Sequence, residues 1–168
     1  MDALETLATR RSVRAFQSRP LPRAVLEQAV AAARQAPTAR NLQPWEFVVV
    51  EEPGRLRHLA ALTDNGRFIA SAPACVAVLC RETKYYLEDG VAAVVHLLLA
   101  LHAQGAAACW VAGDKKPYAP EAAEYLGATK DMKLVALIPC GFPAGPAPAP
   151  AKRPLQDMLH WETFGTPR

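Results

Sequence analysis

The segment A-P-T-A-R-N-L-Q-P-W-E-F-V-V-V at residues 36–50 joins a proline-bracketed polar loop to a strand. Pro37 and Pro44 restrict the backbone on both sides of the loop. Asn41 and Gln43 carry amides that both donate and accept hydrogen bonds, as the edge of a heteroaromatic ring requires, although an ordinary helix-to-strand turn explains the same residues. The aromatic and β-branched run that follows predicts a strand, and its apolar character predicts burial on both faces.

Helical and strand patterns alternate on either side of this segment. Ahead of it, the sequence predicts a short amphipathic helix at residues 2–9 with Asp2 as its cap, and a second helix at residues 22–36. Apolar spacing and turn residues after it predict helices at residues 53–62, 67–71, 88–104 and 121–126, and strands at residues 74–80, 107–112 and 133–140.

Composition limits the class of protein. The chain has 168 residues, of which 51% are hydrophobic and 21% charged, and this is typical of one globular domain rather than of a disordered, collagenous or coiled-coil protein. The formal net charge of +3, from 19 basic and 16 acidic residues, is too small to favour nucleic acid as a partner. The acidic N-terminus does not resemble a signal peptide, and we therefore expect a cytoplasmic protein.

The four cysteines and a long uncharged stretch indicate a buried core rather than disulfides, a metal site or a membrane span. The four cysteines form no C-x-x-C pair and lie mostly in apolar runs, so we expect neither disulfides nor a metal site. Residues 90–113 carry no charge and are long enough to cross a bilayer. His96, His102 and Gln104 interrupt them, which favours a buried helix followed by an apolar strand, and no membrane partner.

The C-terminal part differs in character from the rest. Residues 142–150 are rich in proline and alanine and should be extended, reaching roughly 28 Å at about 3.1 Å per residue. The tail beyond them carries large apolar side chains, namely Leu155, Met158, Leu159, Trp161 and Phe164. Such a tail must pack on something, and a second subunit is one candidate.

Two short motifs could bind a ligand. In an extended R-R-S-V-R at residues 10–14, Arg10, Ser12 and Arg14 would point to one side and suit a phosphate or another planar anion. A solvated basic helix end explains this stretch equally well. In W-V-A-G, Gly113 permits close approach of the backbone to a ligand, or simply marks a turn. Because nucleophile, phosphate-loop and metalloprotease motifs are absent from the sequence, an enzyme of this kind would rely on a cofactor.

Taken in order, these pieces resemble the FMN-dependent nitroreductase family. The resemblance is carried by R-R-S-V-R-A-F, by residues 36–50, by C-W-V-A-G at 109–113, by I-P-C-G-F-P at 138–143 and by K-R-P-L before H-W-E. It implies an α+β fold with a central, mostly antiparallel sheet flanked by helices, and a homodimer with FMN at its interface. Residues 1–142 would form the FMN-binding domain. Residues 143–168 would form an arm exchanged with the partner, within a single domain overall.

The resemblance also implies positions for the cofactor. The basic turn would place Arg10, Arg11 and Ser12 at the FMN phosphate and ribityl chain, and Arg14 at the N1/O2 edge. The other expected contacts are Pro37, Thr38, Ala39 and Asn41 from the partner chain, Asn65 at the polar edge of the ring, Ala112 and Gly113 near N5, and Lys152 and Arg153 at the phosphate.

The function implied is an oxidoreductase that takes electrons from NADH or NADPH and reduces nitro compounds, quinones or similar acceptors by a ping-pong route through flavin N5. No side chain would be catalytic and no metal would be bound. A specialised dehalogenase or flavin-fragmenting enzyme, and a flavin-binding or storage protein with little turnover, are the alternatives. The stretches K-Y-Y at 84–86 and K-K-P-Y at 115–118 stand where substrate contacts are expected, with little room for the inserted helices of longer relatives.

Overall fold

An antiparallel sheet forms the centre of the molecule. The computed structural model describes residues 1–166. Its strands are β1 (Trp45–Val50), β2 (Ala74–Arg81), β3 (Ala107–Ala108), β4 (Val111–Ala112) and β5 (Met132–Gly141). They lie in the order β1-β2-β5, with β3 and β4 both pairing with β5. The helices are α1 (Ala3–Thr9), α2 (Arg23–Ala33), α3 (Pro53–Leu62), α4 (Tyr86–Ala103) and α5 (Ala119–Tyr125), supplemented by short 3-10 turns at Ala39–Asn41, Arg67–Ser71 and Leu155–Asp157.

The two central strands divide the core into two layers. Because side chains alternate along a strand, Val76 and Val78 of β2 pack with α2 and α4, while Cys75 and Ala77 pack on the other face with α3 and α5. Leu137 of β5 extends this second layer. The sheet is therefore covered by helices on both faces, and the α+β class with an antiparallel sheet is confirmed.

Strand β1 corrects one prediction. Among residues 1–166 it forms an edge of the sheet and pairs only with β2. Trp45 and Val50 are buried, but Glu46 between them is exposed and Val49 keeps 39% of its surface accessible. The prediction of burial on both faces is wrong, because apolar character along a strand does not report whether a second strand lies beside it. A groove of about 510 Å³ remains open between β1 and α2.

The predicted strand at residues 107–112 is divided. Ala108 pairs with Cys140 and Val111 pairs with Leu137, while Cys109 and Trp110 between these two pairs lie outside both strands. On its other side Ala108 bridges Ser12 in parallel, and its carbonyl accepts a 3.1 Å hydrogen bond from the Val13 amide. The basic segment after α1 is thereby tied to the edge of the sheet.

Helix α4 is the core helix that the uncharged stretch predicted. It packs between α2 and the sheet, and Ala93, Val94, Leu97 and Leu101 are fully buried. Among residues 1–166 it is the one helix whose length and composition would suit a membrane span. Close packing begins at Gly90, where an added Cβ would lie 2.7 Å from Val135 Cγ2, so α4 can approach the sheet there only without a side chain.

The C-terminal arm is attached to its own chain at its start, where the Ala144 amide donates a 3.0 Å hydrogen bond to the Ala15 carbonyl. Residues 144–154 form no regular element. The apolar side chains of the tail are exposed, from 40% for Trp161 to 93% for Phe164. Exposed apolar surface of this kind is typical of an interaction site.

The four cysteines are buried free thiols, and we predict that they resist alkylation in the native protein. Burial raises the pKa of Cys75 well above its ordinary value and raises the pKa of Cys80 and Cys140 to about 12, so little reactive thiolate forms at neutral pH. A thiol reagent at pH 8 should react far more slowly with the folded chain than with the chain in guanidinium, where all four thiols become available. Equal rates in the two states would contradict this packing.

Candidate functional site

A cleft opens where the basic segment, the turn after α3 and β4 meet. Its volume is about 460 Å³. It contains three of the cofactor contacts expected from the sequence, Arg14, Asn65 and Ala112. The other residues that line it are Asp64, Phe68, Cys109, Trp110, Val111, Lys116 and Tyr118. The cleft thus combines a polar rim with aromatic walls.

Arg14 supplies the positive charge of the rim. Its guanidinium carbon lies 5.9 Å from the centre of the Phe68 ring, a cation–π contact that orients the side chain. Within residues 1–166, no carboxylate lies within 4.0 Å of this guanidinium. The nearby Asp64 carboxylate faces Lys116 instead, with Oδ2 and Nζ 3.8 Å apart. Arg14 is therefore available to an anionic or electron-rich ligand.

The residues of the basic segment differ in their contacts. Burial raises the pKa of the Cys109 thiol, and Arg14, Ser12 and Arg10 partly oppose this effect. The Nη1 atom of Arg11 donates 2.8 Å hydrogen bonds to the carbonyls of Ala8 and Arg10. Arg11 therefore caps the C-terminal end of α1, whereas Arg14 is the residue of this segment that lines the cleft.

The proline-bracketed loop lies outside this cleft in the same chain. Asp89, in the first turn of α4 and only 4% exposed, anchors it. Its Oδ2 accepts a 2.9 Å hydrogen bond from Thr38 Oγ1, and its Oδ1 accepts one of 2.9 Å from the Ala39 amide. Pro37 and Asn41 are exposed beside this anchor.

The loop backbone is constrained as well as anchored. Arg40, Asn41 and Gln43 have φ of 55°, 56° and 48°, a left-handed region that non-glycine residues adopt at a cost.

Asp89 was missed by the sequence reasoning. Its one signal is an acid at the start of an otherwise apolar helix, directly before Gly90.

Gly113 lies beneath the cleft rather than in it. Its amide donates to the Val135 carbonyl over 3.1 Å, and its own carbonyl accepts from the Lys116 amide over 3.1 Å. A Cβ would lie 2.8 Å from the backbone oxygen of Leu134. The close approach that requires glycine is therefore that of β5. Ala112 is the exposed neighbour that lines the cleft, and its carbonyl accepts a hydrogen bond from the Tyr118 hydroxyl.

The cations of the arm also lie apart from the cleft. Lys152 and Arg153 are exposed, and neither lines it in this chain. Arg153 Nη2 donates a 2.7 Å hydrogen bond to the Asp157 carbonyl and so stabilises the turn that opens the tail. One chain therefore brings together Arg14, Asn65 and Ala112 in the cleft, and leaves the loop and the arm elsewhere.

The fold is an α+β fold with an antiparallel sheet covered by helices. The cleft has a cationic rim and aromatic walls, which suit a flat ligand with a polar edge. Residues 7–89 of the chain match the Nitroreductase family model. This confirms the resemblance carried by the sequence motifs.

Individual relatives agree with this assignment. A Methanothermobacter thermautotrophicus protein named for NADH dehydrogenase and NAD(P)H nitroreductase activity is 29% identical, over 98% of this chain and 88% of its own length. An iodotyrosine deiodinase of Thermotoga neapolitana is 26% identical over 92% of this chain and 95% of its own length. The structure described as an FMN-dependent nitroreductase from Clostridium difficile superposes with a TM-score of 0.90, at 22% identity, over 96% of this chain and 99% of that one.

We predict that Asp89→Ala destabilises the protein, because it leaves the half-buried Thr38 hydroxyl and Ala39 amide without their acceptor. The loss in free energy of unfolding should be about 1–3 kcal/mol, measured by urea denaturation. Glu88→Ala, at the exposed position beside it, is the matched control and should change stability by less than about 0.5 kcal/mol. Equal effects of the two substitutions would show that Asp89 does not anchor the loop.

Proposed function

We propose that this protein is an FMN-dependent oxidoreductase of the cytoplasm that takes electrons from NADH or NADPH. Its acceptors would be nitro compounds, quinones or similar small molecules. The proposal rests on the cleft. The Arg14 guanidinium, which has no carboxylate within 4.0 Å among residues 1–166, lines it together with the Asn65 amide and the exposed Ala112. The names of the Methanothermobacter and Clostridium relatives support it.

The residues present fit FMN. The isoalloxazine ring is flat and apolar on its faces, with a polar pyrimidine edge, and the cleft offers aromatic side chains beside one cation and one amide. Asn65 can both donate and accept at that edge, while Arg14 donates only. Arg10 and Ser12 continue the same side of the segment and would hold the ribityl chain and phosphate, with Arg10 as the cation. Arg11 contributes by fixing the end of α1.

The chain's own groups would bind and orient the reactants rather than act as acid or base. When bound, FMN supplies the position, N5, that accepts and returns a hydride. Arg14 would stabilise the negative charge that develops at the pyrimidine edge on reduction. The Tyr118 hydroxyl holds the Ala112 carbonyl, and burial and the nearby Asp64 raise the pKa of Tyr118, so this phenol keeps its proton.

A homodimer would complete the site. Within one chain the loop residues Pro37, Thr38, Ala39 and Asn41 do not reach the cleft, and Lys152 and Arg153 stand on an exposed arm. Apolar side chains are uncovered on α1, where Leu4 is 78% and Leu7 57% exposed, on α4, where Val95 is 42% exposed, and along the tail. A second copy would cover these surfaces, with residues 143–168 wrapped around it. Its loop and arm would then reach this cleft.

One alternative activity has a specific observation in its favour. Several relatives are named iodotyrosine deiodinases, and the Thermotoga relative matches this chain over 95% of its length. A reductive dehalogenase is therefore the second candidate. Only short turns follow β2 and β4, at residues 82–85 and 113–118, and they leave the cleft open to acceptors of varied shape. Steady-state rates with halogenated phenols against nitroaromatics and quinones would separate the two activities.

The direct test is whether the purified protein binds FMN through Arg14. We predict a yellow protein, or one that takes up added FMN, and that oxidises NADH or NADPH in the presence of a quinone. Arg14→Ala should weaken FMN binding roughly tenfold to a hundredfold, the value of a charge-assisted hydrogen bond of about 1.5–3 kcal/mol. Arg57→Ala, at an exposed position on α3, is the control and should leave affinity unchanged.

Two results would overturn the proposal. One is a colourless protein that does not quench FMN fluorescence at any concentration. The other is equal FMN affinity in Arg14→Ala and in the native chain. Stoichiometric FMN without any oxidation of NADH or NADPH would instead favour a flavin-storage protein.

A further inference from the structure

A second, larger cavity lies beside the cleft. We call it the lysine basin, because Lys115, Lys116, Lys130 and Lys133 line it. It is bounded by α5, the start of β5 and the first turn of α4, and its volume is about 940 Å³. None of the cofactor contacts expected from the sequence lies in it, so the proposed FMN site leaves it unexplained.

The basin adjoins the cleft at one residue, Lys116. Lys116 lines both cavities, and the residues on either side of it divide between them. Lys115 faces the basin and Tyr118 faces the cleft. A ligand whose reactive end enters the cleft could therefore continue past Lys116 into the basin.

Two of the four lysines have no carboxylate partner among residues 1–166. Lys133 pairs with Glu82 at 3.1 Å, and Lys116 faces Asp64 at 3.8 Å. Lys115 and Lys130 are exposed, and among residues 1–166 neither has a carboxylate within 4.0 Å. Lys115 has a φ of 60°, so the tight turn after β4 fixes its backbone in an unusual conformation.

The three carboxylates that line the basin differ in their partners. Glu82 is paired with Lys133, and Asp114 accepts a 2.8 Å hydrogen bond from the Tyr86 hydroxyl. That hydrogen bond, with burial and the Asp114 charge, raises the pKa of Tyr86 to about 12, so the phenol remains a donor to this carboxylate. Asp114 and Glu124 have no ionic partner among the described residues. Four lysines against three carboxylates leave the lining with a formal net charge of +1.

The floor of the basin is apolar. Small and flexible side chains form it, contributed by Ala119, Ala123, Ala128, Met132 and Leu134. An apolar floor bordered by ammonium groups suits a ligand that joins a planar base to phosphates. The volume lies within the range of roughly 300–1,000 Å³ that is typical of small-molecule sites.

We propose that the lysine basin binds the adenosine diphosphate part of the nicotinamide donor, with Lys115 and Lys130 contacting its phosphates while the nicotinamide enters the cleft. The inference rests on the proposed function, since it identifies where the substrate of that same site is held. It makes the two lysines substrate-binding residues, and it gives the short K-K-P-Y turn a role in recognising the donor.

The test compares donors that have and lack the phosphates. Lys115→Gln/Lys130→Gln, which removes both charges and keeps side-chain length, should lower kcat/KM for NADH and NADPH by about tenfold, mainly through KM. The rate with 1-benzyl-1,4-dihydronicotinamide, which carries no phosphate, should not change. Arg57→Gln, an exposed cation on α3 that does not line the basin, is the control and should alter neither rate.

A binding measurement gives a second readout that is independent of turnover. Calorimetric titration of the protein with adenosine 2′,5′-bisphosphate and with ADP should show weaker binding to the double variant than to the native chain. A larger loss for NADPH than for NADH would place one lysine at the 2′-phosphate, and equal losses would place both at the pyrophosphate.

The outcomes separate this inference from the proposed function. Unchanged kcat/KM for NADH and NADPH in a double variant that still oxidises the benzyl donor would overturn the basin assignment and leave the oxidoreductase intact. An equal loss with all three donors would also overturn it, because the effect would then arise in the cleft. A native protein that binds no FMN and oxidises no donor would overturn both.

Discussion

The structure depends on β5 being paired along both of its edges. On one side it pairs with β2 from Ala74 to Arg81, and on the other it pairs in turn with β3 and β4. The amide of Cys109 bonds the Pro139 carbonyl, and the amide of Gly113 bonds that of Val135. Every cleft residue between these two amides is therefore set in place by β5, and the basic segment is attached in turn through Ala108.

A second constraint is the buried carboxylate of Asp89. A buried charge is tolerated when its hydrogen bonds are satisfied, and here the hydroxyl of Thr38 and the amide of Ala39 both bond to it. Gly90 allows α4 to approach the sheet closely at the next residue. The loop is thus held rigidly by α4 although it contributes nothing to the cleft of its own chain. A preformed loop of this kind is suited to a partner's site.

Much of the fold could be predicted from the sequence because its signals are local. The Asp2 cap, the proline that begins α3 and the unbroken apolar run of β2 each act within a few residues, and the structure confirms them. The edge position of β1 could not be predicted, since the number of neighbouring strands is a property of the whole sheet. The division of residues 107–112 also depends on β5, which lies more than 20 positions later in the chain.

The candidate site, like the fold, could be predicted from the sequence only in part. Of the basic segment, Arg14 lies in the cleft, while the expected cofactor contacts of Arg10, Arg11 and Ser12 stay predictions. The role of Asp89 was not visible, because its partners lie 50 and 51 positions away. Gly113 was recognised as a point of close approach, but only the structure shows that the approaching group is β5. The K-K-P-Y stretch indicated substrate contacts on one side of the lysine basin. Lys130 and the apolar floor are brought beside it by the packing of α5, which the sequence does not show.

The central claim is that residues of two chains form one site, and mixed dimers test it most directly. Arg14→Ala disables the cleft, and Asn41→Gly removes the loop amide while accepting the positive φ of that position. If the loop acts in the partner's cleft, a purified heterodimer of the two variants has one intact site and should bind FMN tightly there, although neither parent homodimer does. A heterodimer that binds FMN no better than its parents, or a chain that remains a monomer with native FMN affinity, would contradict the account.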